Sequence, residues 1–167
     1  MNRCFLPFFL IALAVVSTSC KKENRPEGLP ELYPFSIKLV QGGAPLEGAN
    51  VTLQSDDPAL MRWPCGGNTD AAGIAKLNTF GFDGAPAGKF KVLVFKSETE
   101  GGAQNSEEAA QMMRDGAADT SQRFDLVDPK YKLDRTTPLA VEVVAGPDNP
   151  TPEFDLGEAV REEIKIK

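Results

Sequence analysis

From residue 35 onward the chain is a series of short runs in which apolar and polar residues alternate, each cut off by glycine or proline. This period of two constrains the fold more than any other feature, because successive side chains of a strand point to opposite faces and an alternating run therefore has one apolar face to bury. Phe35, Ile37 and Leu39 form the first run, and Ala49, Val51 and Leu53 the second. Residues 65–69 and 74–77 flank a tight turn at 70–73. Phe90, Val92 and Val94 follow, then Leu139, Val141 and Val143, and finally Phe154 and Leu156. The pattern predicts an all-β chain, a seven-stranded antiparallel β-sandwich. Leu93 and Phe95 interleave with the fifth run, which predicts a strand covered on both faces or lying beneath a loop. Residues 97–125 break the rhythm. Asn105 and Glu108 have the spacing of an N-cap and its capping partner, so a short helix over 106–114 is expected in a long inserted loop, with Ala109, Met112 and Met113 on one side.

The N-terminus has a different grammar. Arg3 precedes twelve mostly apolar residues, 5–16, and residues 17–19 are small. A helix of that length spans only ~18 Å against a hydrocarbon core of ~30 Å, so the segment reads as a secretory leader and not as a permanent span. Cys20 follows directly, and then the polar Lys21, Lys22, Glu23 and Asn24. The layout resembles a bacterial lipoprotein signal. That resemblance implies removal of residues 1–19, lipidation of Cys20 as a membrane anchor, and residence in the cell envelope, with Lys21 after the cysteine favouring the outer membrane. Plain secretion with cleavage near Ser19 is the alternative. Residues 20–34 carry Pro26, Pro30 and Pro34 with no apolar period and read as a tether, and residues 157–167 read as a tail that either adds an edge strand or frays.

Composition excludes whole classes of chemistry. The 167 residues contain no histidine, which removes histidine-dependent nucleophilic triads and most catalytic zinc sites. Three cysteines, Cys4, Cys20 and Cys65, have neither a disulfide-framework count nor metal-ligand spacing. A net charge of −6 argues against nucleic acid as a partner. Much of the charge is local, since the insertion 97–125 holds seven carboxylates against two arginines. No cofactor motif is present, and no catalytic residue is assigned.

Several motifs also follow one another in a familiar order. Residues 43–53, GAPLEGANVTL, resemble the G-x-P-L-x-G-A-x-V-x-L opening of transthyretin-like, carboxypeptidase-regulatory-like β-sandwich domains. Residues 68–73, NTDAAG, resemble that family's T-D-A-x-G hairpin, and residues 87–94, AGKFKVLV, its P-G-x-Y-x-V-x-V strand with Phe90 in the tyrosine position. The run from Pro129, Lys130 and Tyr131 through residues 137–143 to Phe154, Asp155 and Leu156 is similar to the end of small lipoproteins with one such domain. The resemblance covers residues 35–156 and implies a prealbumin-like fold and a binding or structural role, not an activity. The hydroxyisourate hydrolase branch of that fold needs histidines that this chain lacks.

The candidate site residues each carry two readings. Cys65 is either a reactive thiol or a buried small hydrophobe. Asp56, Asp57, Asp70 and Asp83 either offer oxygens to calcium or bond turn amides. Trp63, Phe80 and Phe82 either form an exposed platform for a sugar or protein or plug the end of the sandwich. Met112 and Met113 either meet a partner or pack onto a sheet while the carboxylates around them are solvated. Lys38 alternates out of phase with the apolar face, which disfavours a buried isopeptide cross-link. The expectation is a membrane-anchored envelope lipoprotein with one non-catalytic binding or structural domain, whose partner is a protein or a glycan. The alternative is a surface carbohydrate-binding accessory module.

Overall fold

The computed structural model describes residues 25–103, 105–116 and 120–164. The leader 1–19, Cys20 and the first residues of the expected tether lie outside the described residues. In chain order the strands are β1 (Leu32–Tyr33), β2 (Ser36–Gln41), β3 (Ala44–Pro45), β4 (Asn50–Gln54), β5 (Cys65–Asn68), β6 (Ile74–Lys76), β7 (Asn78–Thr79), β8 (Phe82–Asp83), β9 (Ala85–Pro86), β10 (Gly88–Phe95), β11 (Ser97–Glu100), β12 (Gln122–Asp125), β13 (Ala140–Val143), β14 (Glu153–Asp155) and β15 (Glu162–Glu163). Two helices, α1 (Pro58–Met61) and α2 (Ser106–Arg114), and a 3-10 turn at Pro129–Lys132 complete the described elements. The chain is all-β in class. None of the described helices is long and apolar enough to cross a membrane.

The alternating runs are strands for the reason the pattern implies. One sheet has the order β13-β10-β4-β5-β7-β8, with every neighbouring pair antiparallel. In the other, β2 is flanked by β14 on one side and by β6 and β3 on the other. The in-phase residues of both sheets meet in a single core: Ile37 and Leu39 from β2, Val51 from β4, and Val92 and Val94 from β10 are wholly buried. Each such aliphatic side chain contributes roughly 1.5–3 kcal/mol of transfer free energy.

Two turns show how the register is set. At 70–73 the Asp70 carboxylate accepts hydrogen bonds from the amides of Ala72 and Ile74, both at 2.9 Å. Gly73 has φ 75°, and a side-chain carbon there would collide with the Leu39 carbonyl, so both the conformation and the space require glycine.

The structure departs from the expectations in several places. The strands are not all antiparallel: β14 lies parallel to β2, with Lys38 opposite Glu153 and their side chains joined at 2.7 Å. A parallel neighbour needs a crossover, and the chain supplies one by traversing the other sheet before β14 returns beside β2. Strand β10 is covered on one face only, since Leu93 is half-buried and Phe95 exposed on the outer side. The tether ends early, because Leu32 and Tyr33 pair with Pro86 and Ala85.

The insertion is an extension of the fold and not a bare loop. Strands β11 and β12 pair from Ser97 opposite Asp125 to Glu100 opposite Gln122, so the hairpin has the expected bounds of 97–125. Helix α2 sits at its tip, started by the Asn105 side chain accepting from the Glu108 amide at 2.9 Å. No described residue of α2 is buried, so Met112 and Met113 do not pack into the core. The tail does not simply fray: β15 adds to β12 as an edge strand. Arg161 fastens it, with Nε 2.7 Å from Glu98, Nη2 2.5 Å from Glu100, and the guanidinium 3.6 Å over the Phe124 ring. A half-buried ion pair between Lys132 and Asp125 ties the hairpin to the 3-10 turn. Removing the clamp with Arg161→Ala should speed amide exchange at 162–164 and along β11, while exchange in the core strands stays unchanged. Unchanged exchange at both segments, measured by mass spectrometry, would show that Arg161 does not hold the tail.

Candidate functional site

Trp63, Phe80 and Phe82 reach one end of the molecule through two short local structures. In the first, Asp57 caps α1 by accepting from the Ala59 amide at 2.9 Å, and Pro58 fills the first helical position, where no amide is needed. The helix ends after one turn at Arg62, which leaves Trp63 between the helix and the start of β5. In the second, β7 and β8 are joined by the two residues Phe80 and Gly81, with φ 56° and 84°. Two positive φ values make this a type I′ hairpin, whose twist matches that of the strands. Asn78 supports the turn by accepting from the Gly81 amide at 3.3 Å, and the Thr79 hydroxyl donates to the Gly84 carbonyl at 2.8 Å.

Phe80 is the only described residue other than glycine with positive φ. A bulky side chain in that region costs roughly 1–2 kcal/mol, and here it holds a phenyl ring 56% exposed. The Phe80 and Trp63 rings meet edge to face, with centroids 5.8 Å apart and planes at 77°. Two cations join them. The Arg62 guanidinium lies 4.8 Å from the Trp63 ring centroid, and that of Arg25 lies 5.8 Å from the Phe82 centroid. Arg25 is brought there by the β1–β9 pairing, which lays residues 25–34 along this end. A side-chain carbon at Gly28 would stand only 2.8 Å from the Arg62 guanidinium and 3.9 Å from the Trp63 ring.

Trp63 and Phe80 therefore form a ring pair, with Phe82 and its Arg25 partner at the same end. Met112 and Met113 line a separate cavity of about 300 Å³ with Thr99, Gly101, Ala103 and Ala109, and Met113 is 85% exposed. The two groups stand at opposite ends of β10: Gly88, at its start, lies against Leu60 of α1, and the insertion begins just beyond Phe95. Eight residues of strand separate the ends by ~23 Å. Sequence reasoning placed Arg25 in the tether, against anionic headgroups or solvated, without its ring partner Phe82, and it missed Arg62, although Arg62 adjoins Trp63. The signal for the strained turn was the pair Phe80-Gly81 between two-residue strands.

Of the remaining candidates, Cys65, Asp57 and Asp70 are spent on structure. Cys65 is buried, and burial pushes its thiol up to about 11 against an opposing hydrogen bond with Thr79. That is the reverse of an activated thiol. Asp57 and Asp70 bond turn amides. Among the described residues no three of His, Cys, Asp and Glu converge as a metal-binding group. What the aromatic end can do chemically is offer rings and guanidinium groups to a surface.

Comparison of the chain with protein-family models, with curated proteins and with solved structures finds no match.

Two outcomes are expected. Phe80→Gly should leave stability within about 1 kcal/mol of the parent, because relief of the backbone offsets the lost ring pair, whereas Phe80→Val should lose roughly 1–3 kcal/mol in urea unfolding. Equal losses in both would show that the φ 56° turn is not strained. For Cys65 the folded thiol titrates above the unfolded one, so its contribution to stability is full below pH ~8.5 and is lost as pH rises through about 11. The urea midpoint should fall over that window, less so in Cys65→Ala, and an identical slope in both would contradict the burial effect.

Proposed function

We propose that this protein is a lipid-anchored envelope protein: Cys20 carries the anchor after residues 1–19 are removed, and one transthyretin-like β-sandwich over residues 35–156 serves as a non-catalytic binding module. The sandwich reading is supported by the division of the seven sequence runs between two sheets, β13-β10-β4-β5 and β14-β2-β6, around one core. The family reading is supported by the T-D-A-x-G turn, in which Asp70 and Gly73 do what the motif requires. Placement in the outer membrane rests on Lys21 after the anchoring cysteine.

The single observation that carries the binding role is helix α2. It buries none of its described residues, exposes Met113, and borders an apolar-lined cavity, yet it is mounted on a hairpin braced by Arg161 and Lys132. A polarizable, adaptable side chain on a braced and acidic projection suits recognition of a basic protein surface. The second reading, a carbohydrate-binding accessory module, is favoured by the Trp63–Phe80 pair and the adjacent arginines.

A photo-crosslinking amino acid in place of Met113, introduced into intact cells, tests the main reading. Discrete adducts are expected from position 113 and not from Val144, which is also exposed, and Cys20→Ala should move the protein into the aqueous phase on detergent partitioning and weaken the adducts. No adduct at 113, or unchanged partitioning in Cys20→Ala, would sink the corresponding half of the proposal.

A further inference from the structure

The aromatic end and the N-terminal segment are one surface, and that bears on how the protein sits. Cys20 precedes Arg25 by five residues. Five residues of fully extended chain reach at most ~18 Å. Arg25 itself is seated over Phe82, and Gly28 lies against Arg62 and Trp63. Whatever holds Cys20 is therefore within that distance of the Arg25 backbone, whose guanidinium meets the Phe82 ring.

We propose that this end of the molecule, carrying Trp63, Phe80, Met61, Arg25 and Arg62, docks onto the bilayer that holds Cys20, with the rings in the interfacial layer; this rests on the lipid-anchor reading above. Four observations argue for a lipid surface as the occupant. The reach of the chain brings that surface to the cluster. Phe80 and Met61 are 56% and 57% exposed, and the turn holds Phe80 outward in a conformation that solvent alone does not favour. Indole and phenyl rings flanked by guanidinium groups match the interface, where rings sit at headgroup level and long cationic side chains reach phosphates. The acidic insertion stands at the far end of β10, so docking by the aromatic end holds its six described carboxylates away from anionic lipid. Glu27 lies two residues from Arg25 and Asp83 follows Phe82, so two carboxylates accompany the two arginines at this end. The attraction is thus apolar and interfacial, and it should depend weakly on salt.

Trp63 is the only tryptophan in the chain, so its fluorescence reports on this surface alone. The lipidated protein, reconstituted into phosphatidylethanolamine–phosphatidylglycerol vesicles, should show quenching of Trp63 by lipids brominated near the headgroup and several-fold protection from aqueous acrylamide, little changed by added salt. The double variant Phe80→Gly with Met61→Ser, whose glycine fits the φ 56° turn, should remain with the vesicles yet regain acrylamide access several-fold. An anchored protein whose Trp63 is not quenched by brominated lipid overturns the docking and leaves the anchor standing. A protein that does not join the vesicles, and whose mass lacks the lipid, overturns both. A Trp63 emission shift with soluble oligosaccharides in the absence of bromine quenching overturns the docking in favour of a glycan face.

Discussion

Burial of alternate residues of β2, β4 and β10 between two sheets is the constraint on which the rest of the molecule depends. Ile37, Leu39, Val51, Val92 and Val94 have no exposed surface, and they sit on strands paired along both edges. A slip of one residue in any of these strands would turn its apolar set outward, so the core also fixes the register. From the register follow the turns, and from the turns the two ends of the molecule.

Those ends differ in construction. At one, a single helical turn and a two-residue hairpin bring Trp63 and Phe80 together, and the strand pair β1–β9 adds Arg25. Phe80 bears strain there that the surrounding strands sustain, since the pairing of Thr79 with Phe82 leaves only two residues for the turn. At the other end, β11 and β12 carry α2 outward and are stiffened by the tail through Arg161, which meets two carboxylates and one ring. The aromatic end is compact and close to the N-terminus, whereas the acidic end projects. On the proposed reading they would serve two different surfaces.

Legibility in the sequence followed the range of the interactions. The seven strand runs, the helix at 106–114 with its Asn105 cap, and the bounds of the insertion depend on periodicity and local side chain to backbone bonds, and these could be read directly. So could the two fates of the loop aspartates, of which Asp57 and Asp70 take the turn-bonding one. The strand at Leu32–Tyr33 and the parallel pairing of β14 could not be read, and the edge strand β15 stood only as one of two alternatives for the tail, because each depends on the partner it meets. For the site, sequence named Trp63, Phe80 and Phe82 but not their association, and it left Arg25 in a linker.

By itself, then, the sequence determined the all-β class, the apolar faces, the turn positions and the exclusion of imidazole chemistry, since all of these are properties of residue type and spacing. Tertiary structure alone decided that Cys65 is a buried thiol, that the tail clamps the insertion, and that the N-terminal segment lies against the aromatic cluster. These depend on contacts between residues tens of positions apart, from Arg25 with Phe82 to Arg161 with Glu98, whose geometry no local pattern encodes.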